Sequence, residues 1–316
     1  MNDAIELCLG TPPTAQPCED VAHWWPRYRE TAARWPRTID VAIACGYAGD
    51  RAAWAFAGGY QASLRALAPD FPADRLGAMC VTEENGNRPR DIRTTIVEEP
   101  GGGITITGAK RWSTLGPDSG LLLVAGTTAA EGERPAIRIA RVPADAPGVR
   151  IEPMPPTKYV PEIAHARITL ERVTLPAGAL MPGDGYERCV KPFRTIEDTH
   201  IGAAVLAYLV REARARNWPR EWIARAVSVI ASLAGVAARD PSDPVAHVML
   251  AGAQDARRAL IAECAALWGE APGDDAARRW HRDAAMLGIA SKAGELRTAR
   301  AFERLDERAL SRSRAA

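Results

Sequence analysis

The stretch Gly101-Gly102-Gly103-Ile104-Thr105-Ile106-Thr107-Gly108-Ala109-Lys110-Arg111-Trp112-Ser113-Thr114 decides how the chain is read. From Ile104 to Thr107 apolar and polar residues alternate, the period of a strand with one face buried. The three glycines before it make a turn that accepts positive φ. Short patterns of the same kind follow at residues 121–124, 137–142 and 168–173. In the last of these Ile168 and Leu170 share a face and Val173 departs from the register. Several short strands at this spacing predict a small barrel or sandwich.

On either side of this stretch the period lengthens. Residues 39–67 read as helical, punctuated by Gly46, Gly49 and Gly58-Gly59. Glycine costs about 1 kcal/mol in a helix interior, so these mark helix ends or close packing. Pro69, Asp70 and Pro72 stop the helix. Beyond residue 184 four apolar stripes recur at helical spacing. The first runs through Phe193, Ile196, Ile201, Val205, Tyr208 and Leu209, and the second through Trp222, Ala226, Val227, Ile230 and Leu233. Asp243-Pro244, an N-cap with proline at the first helical position, opens the third: Val248, Met249, Ala256, Leu260, Cys264 and Leu267. Gly273-Asp274 opens a fourth helix carrying Trp280, Leu287, Ala290 and Phe302. The predicted fold is α+β, with a short helical domain over 1–77, a β-barrel domain over 78–183 and a C-terminal four-helix bundle over 184–316.

With 316 residues the chain is long enough for a sizeable core, and 47% hydrophobic with 25% charged residues is ordinary for a globular protein. A formal net charge of +1 gives no global pull towards nucleic acid or membrane. The six cysteines include no CxxC pair and the five histidines are scattered, so no metal site is expected. Residues 2–20 do not read as a signal peptide, and the apolar run at residues 201–210 is too short to span a bilayer. A cytoplasmic protein with mostly inert, buried thiols is the expectation.

Three ordered stretches together resemble the acyl-CoA dehydrogenase family. Cys80-Val81-Thr82-Glu83-Glu84 followed by Arg93-Thr94 is similar to the C-x-T-E-P segment that opens the family's barrel. Residues 106–114 resemble its G-x-K-x-W-I-T strand, and Val142-Pro143 to Val149, with residues 167–176, resembles its closing turn and strand. Gly183-Asp184-Gly185-Tyr186 then enters a helix, as the family does on entering its bundle. The chain is accordingly identified as a shortened, divergent member of that family.

The resemblance implies flavin adenine dinucleotide as cofactor, an acyl thioester as substrate, and transfer of a hydride to flavin once a base has taken the neighbouring proton. It places Trp112 as a flat wall behind the flavin ring, Ser113 and Thr114 at the ring's pyrimidine side, and the Thr82 hydroxyl with the Val81 and Thr82 amides at its edge. Glu83 takes no catalytic role. Family members follow T-E-P with a G-S-D phosphate element; this chain has Asn85-Gly86-Asn87-Arg88-Pro89.

The family's late-helix base falls nine residues after the arginine of an Arg-Asp pair, which here is Ser291 after Arg282-Asp283, with Glu295 one turn further. The alternative base position, on the first bundle helix, falls near Thr199, just after Glu197 and Asp198. Glu197, Glu295 or no base in this chain remain open. No R-x-x-F-G segment for a neighbour's adenosine is found either.

The resulting expectation is an acyl-CoA dehydrogenase-like flavin-dependent oxidoreductase that works poorly alone. The alternatives are a non-catalytic subunit completing a homologous partner's site and a ligand-binding protein that has lost flavin. Homo-oligomers or hetero-oligomers with a homologous subunit are expected, through surface left at Val227, Ile230, Leu260 and Leu267.

Overall fold

The alternating stretches become strands and the 3.6-period stretches become helices. The computed structural model describes residues 4–128, 136–269, 273–288 and 291–315. It divides into a helical unit (Met1–Ala66, Lys158–Val160, Arg194–Ala316) and a sheet unit (Leu67–Thr157, Pro161–Phe193).

The sheet unit has seven strands: β1 (Gly77–Cys80), β2 (Thr95–Glu98), β3 (Gly103–Thr114), β4 (Leu121–Thr128), β5 (Ala136–Pro143), β6 (Val149–Pro153) and β7 (His165–Pro176). They form one curled sheet in the order β1-β4-β2-β3-β7-β6, with β5 paired to β4. Ile104 and Ile106 of β3, Leu122 and Val124 of β4, and Ile168 and Leu170 of β7 meet in one core.

The long β3–β7 pair carries two register shifts. Ile106 faces Val173 and Gly108 faces Leu170, so β7 holds one extra residue there; Lys110 faces Ile168 and Ser113 faces Ala166, so β3 holds one extra further on. Each bulge contains a non-glycine residue in the left-handed region, Arg172 at φ 51° and Trp112 at φ 58°. The first bulge explains why Val173 breaks the alternation yet is wholly buried: the extra residue returns it to the inner face.

The helical unit contains α1 (Ala4–Gly10), α2 (Val21–Arg34), α3 (Thr38–Ala48), α4 (Ala52–Leu67), α5 (Lys191–Ala215, within the unit from Arg194), α6 (Arg220–Ala237), α7 (Pro244–Trp268), α8 (Asp275–Asp283) and α9 (Ser291–Ala315). Glycines at 46 and 59 do serve close packing. A side chain at Gly46 would begin 2.0 Å from the Ala204 carbonyl oxygen of α5, and one at Gly59 would begin 2.7 Å from Ile201 Cα.

The single helix expected after Asp274 is two. Asp274 caps α8 by accepting from the amides of Ala276 and Ala277, but residues 284–288 tighten into a 3-10 turn ending at Gly288 before α9 starts. Glycine's entropy cost makes that position a poor helix interior. Leu287 and Ala290 of the expected stripe lie outside the described side chains, and Phe302 is exposed. Ile230 and Leu260 are buried within the unit, with Trp222 Nε1 donating to the Leu260 carbonyl at 3.2 Å, so neither is available to a partner. All six cysteines are buried. Among the described residues no helix is long and apolar enough to cross a membrane.

Candidate active site

The site in the sheet unit is built outward from a buried ion pair. Glu83 follows β1 and Lys110 lies on β3; the Lys110 ammonium donates to Glu83 Oε1 at 2.6 Å, with both side chains almost fully enclosed. The same oxygen accepts from Thr94 N at 3.0 Å and Thr94 Oγ1 at 2.8 Å, while Oε2 accepts from Arg93 N at 2.7 Å. Burial alone would raise the Glu83 pKa. The Lys110 ammonium and the two backbone amides outweigh it, so the group is held below its ordinary value.

Gly108 makes this arrangement possible. A side chain there would begin 2.5 Å from Thr94 Oγ1 and 2.7 Å from Thr94 Cα, displacing the residue that bonds Glu83. The glycine and lysine of the strand motif therefore share one structural task, holding Glu83 in place.

The anchor sets the bulge that presents Trp112. Immediately after Lys110, Arg111 N donates to the Thr82 carbonyl at 2.9 Å, which brings Thr82 against the Trp112 segment. Trp112 then turns out through its left-handed backbone, its amide donating to Met154 Sδ at 3.3 Å. The indole is 45% exposed, a large value for so apolar a side chain. His165 meets it nearly edge-on with ring centroids 5.9 Å apart, and the Arg111 guanidinium lies 5.7 Å from its centroid while pairing with Glu84. A non-glycine residue at positive φ stores about 1–3 kcal/mol of strain and persists where its surroundings fix it.

Three hydroxyl residues adjoin Trp112: Ser113 and Thr114 along β3, and Thr82 through its carbonyl bond to Arg111. Among the described residues the hydroxyls of Thr82 and Thr114 make no hydrogen bond, and both residues are half-buried. Ser113 is 1% exposed, and its Oγ has the Cys80 thiol as its neighbour. Burial pushes that thiol up to about 11, so it stays protonated. Val81 is half-buried at the end of β1. The structure thus collects Thr82, Trp112, Ser113 and Thr114 in one place, and adds His165 and Met154, which no spacing in the sequence links to Trp112.

A flat exposed indole, with the Thr82 and Thr114 hydroxyls lacking protein partners in the adjoining segments, suits a planar heteroaromatic ring with polar edges, so the flavin ring fits. The phosphate end does not fit the turn at 85–88 in the same way. Glu83 N and Gly86 O bond at 2.8 Å, Gly86 N and Glu83 O at 3.2 Å, and Arg88 N is taken by Asp91 Oδ2 at 3.1 Å. That carboxylate lies 2.7 Å from where a side chain at Gly86 would begin, where a phosphate would meet like charge.

The candidate bases lie in the helical unit. Glu197 on α5 has Arg194 Nη1 3.9 Å away and a side chain 21% exposed. Burial pushes its pKa up to about 7, with Arg194 opposing and Asp198 reinforcing the shift. Asp198 is engaged, accepting from Arg297 Nη2 at 3.0 Å. Thr199 donates to the Thr195 carbonyl at 2.7 Å, a bond that leaves it no basic function. Glu295 on α9 is exposed. Ser291 is the first residue of α9, and its side chain lies outside the described residues. Asp283 is buried, accepting from Val160 N at 2.8 Å and pairing with Arg282.

The helices and the curled seven-stranded sheet make an α+β architecture, and the comparisons place it with acyl-CoA dehydrogenase structures. Residues 78–173 match the family described as acyl-CoA dehydrogenase, middle domain. No curated protein sequence matches the chain. Butyryl-CoA dehydrogenase from Megasphaera elsdenii superposes with a TM-score of 0.68 at 15% identity, over 88% of this chain and 85% of that one. A glutaryl-CoA dehydrogenase from Mycobacterium smegmatis, in complex with FADH2, gives 0.67 at 15% identity over 95% and 88%. The FAD complex of PigA gives 0.69 at 12% identity over 89% of each chain. At such identities the likeness carries the fold. The middle-domain match places residues 78–173 with the middle domain of acyl-CoA dehydrogenases.

Proposed function

We propose that the protein is a flavin-dependent oxidoreductase of acyl thioesters. It has the family's three-part layout over 1–77, 78–183 and 184–316, with the curled sheet as the β-barrel and the long C-terminal helices as the four-helix bundle. The observation that carries the reading is Trp112, an exposed indole held at φ 58° beside Thr82, Ser113 and Thr114. Flavin adenine dinucleotide, when bound, supplies the hydride acceptor. Trp112 provides a rigid apolar wall for the ring. The Thr82 and Thr114 hydroxyls, with Ser113 and the Val81 and Thr82 amides, offer donors at its polar edge. Glu197 holds the proton taken from the substrate, and a carboxyl titrating near 7 is suited to give and take protons at neutral pH. Exposed Glu295 is the weaker candidate. A reduced, cytoplasmic setting agrees with six buried thiols, and association with a second copy or a homologous subunit follows the family's habit.

The turn at 85–88 supports a second reading. The Gly86 and Arg88 amides are already taken and the Asp91 carboxylate stands beside Gly86, so the chain would contribute the ring-binding face and leave the phosphates to a homologous partner. Anaerobic mixing of the flavin-loaded chain with saturated acyl-CoA thioesters separates the two. Flavin bleaching by the isolated chain supports the enzyme reading. Bleaching only with a co-expressed homologue supports the partner reading, and none in either setting removes both.

Trp112→Gly is the matching test of the platform. Glycine relieves the left-handed strain, so thermal stability is expected to hold or rise slightly. Stacking of a planar ring on an aromatic side chain is worth about 1–3 kcal/mol, so flavin affinity should fall roughly 5- to 150-fold. Unchanged affinity by fluorescence titration would remove Trp112 from the site.

A further inference from the structure

The middle of α7 buries an arginine where its pattern calls for an apolar residue. Ala246, Leu250, Ala253, Leu260 and Cys264 form the buried stripe, and Arg257 lies in the centre of it, 7% exposed. The guanidinium makes no hydrogen bond to any described residue, and its Nε is fully enclosed. Its stem lies against α5: Cδ and Nε are 3.8 and 4.0 Å from where a side chain at Gly202 would begin.

Asp198, one turn before Gly202, is the carboxylate whose charge acts on Arg257, and it is already shared. Arg297 Nη2 of α9 donates to its Oδ2 at 3.0 Å, and Arg194 Nε stands 3.4 Å from its Oδ1. Arg297 is itself only 16% exposed, and its Nε also finds no partner. One carboxylate therefore answers to three guanidiniums, paired with those of α5 and α9 and acting on that of α7 through its charge alone. Glu197 does little to restore balance, being 3.9 Å from Arg194 and partly protonated near neutrality.

A buried ion without a partner is among the costliest features a fold can carry, and a methionine of similar length would fill the same space without that cost. A guanidinium fork matches the two oxygens of a carboxylate or phosphate. We propose that Arg257 and Arg297 form a binding site in the helical unit for a small oxyanion, a carboxylate or a phosphate group, which supplies the negative charge the cluster lacks. The site is independent of flavin binding and of the assignment of a base.

The full chain is titrated with sodium phosphate and separately with sodium malonate, against sodium chloride at matched ionic strength, while thermal unfolding and heat of binding are followed. The expected result is a saturable heat and a rise in Tm of about 3–6 °C with at least one oxyanion, and neither with chloride. A response to phosphate alone identifies a phosphate group, and a response to malonate identifies a carboxylate. Arg257→Met should melt above the wild type in anion-free buffer and bind the anion at least about ten-fold more weakly. Arg257→Lys, which keeps the charge and loses the fork, should fall between them. No saturable response of the wild type to either oxyanion overturns the proposal, whether or not the variants fold. So does an equal response in wild type and Arg257→Met.

Discussion

Replacing Lys110 by methionine is expected to destabilise the protein by about 3–5 kcal/mol, the usual cost of stranding one member of a buried ion pair. Glu83 would keep three hydrogen bonds from Thr94 and Arg93 but lose the ammonium 2.6 Å away. The pH dependence checks the cause. The native Glu83 pKa is held below its unfolded value, so its contribution is complete above the ordinary carboxylate range, about pH 4.3, and is lost as pH falls through the lower native value. The gap between wild type and Lys110→Met in urea denaturation should therefore be widest near pH 7 and narrow in acid. Adding Glu83→Gln to Lys110→Met should recover part of the loss, because no charge is then stranded. A loss under about 1 kcal/mol at pH 7 would contradict the structural role assigned to the pair. Because the bulge presenting Trp112 begins at the next residue, Lys110→Met should weaken flavin binding too.

Glu197→Gln should slow flavin bleaching by acyl thioesters by about 10²–10⁴-fold, the range for loss of a positioned base. In the wild type the rate should rise with pH through about 7 as the carboxyl ionises. Stability should run the opposite way. The native pKa lies above the unfolded one, so the stabilisation is fully present below about pH 4.3 and is lost as pH rises through about 7. Glu197→Gln should thus be at least as stable as wild type above pH 7 while nearly inactive. Glu295→Gln, at an exposed position, should bleach normally. An unaffected rate in Glu197→Gln would take the base away from this residue.

Much of the fold could be read from the sequence because it rests on period. Alternation at 104–107 and 168–170 became β3 and β7, and the N-cap at Asp243 opened α7 as its residues require. The departure of Val173 from register was itself the trace of a bulge, although alternation alone does not say which residue takes the left-handed conformation. The same limit hid the twist at Trp112, since tryptophan has no preference for positive φ and the conformation is imposed by Glu83, Lys110 and Thr82 through tertiary contacts.

On α7 the expected stripe chose Ala256, which is exposed, over Arg257, which is buried. The two differ by one step of helix rotation, and a rule that sends charge outward selects the wrong one. Glu197 was legible only as a carboxylate near a family position. Its raised pKa comes from burial that no local pattern reports.

Flavin is expected to bind on the Trp112 face of the sheet unit. Titration of the apo protein with flavin adenine dinucleotide, followed by tryptophan quenching and the flavin absorption band, tests it most directly. Saturable binding at one flavin per chain is expected, alone or with a co-expressed homologue, and roughly 5- to 150-fold weaker binding in Trp112→Gly. No saturable quenching in either setting, or quenching unchanged by Trp112→Gly, would contradict it.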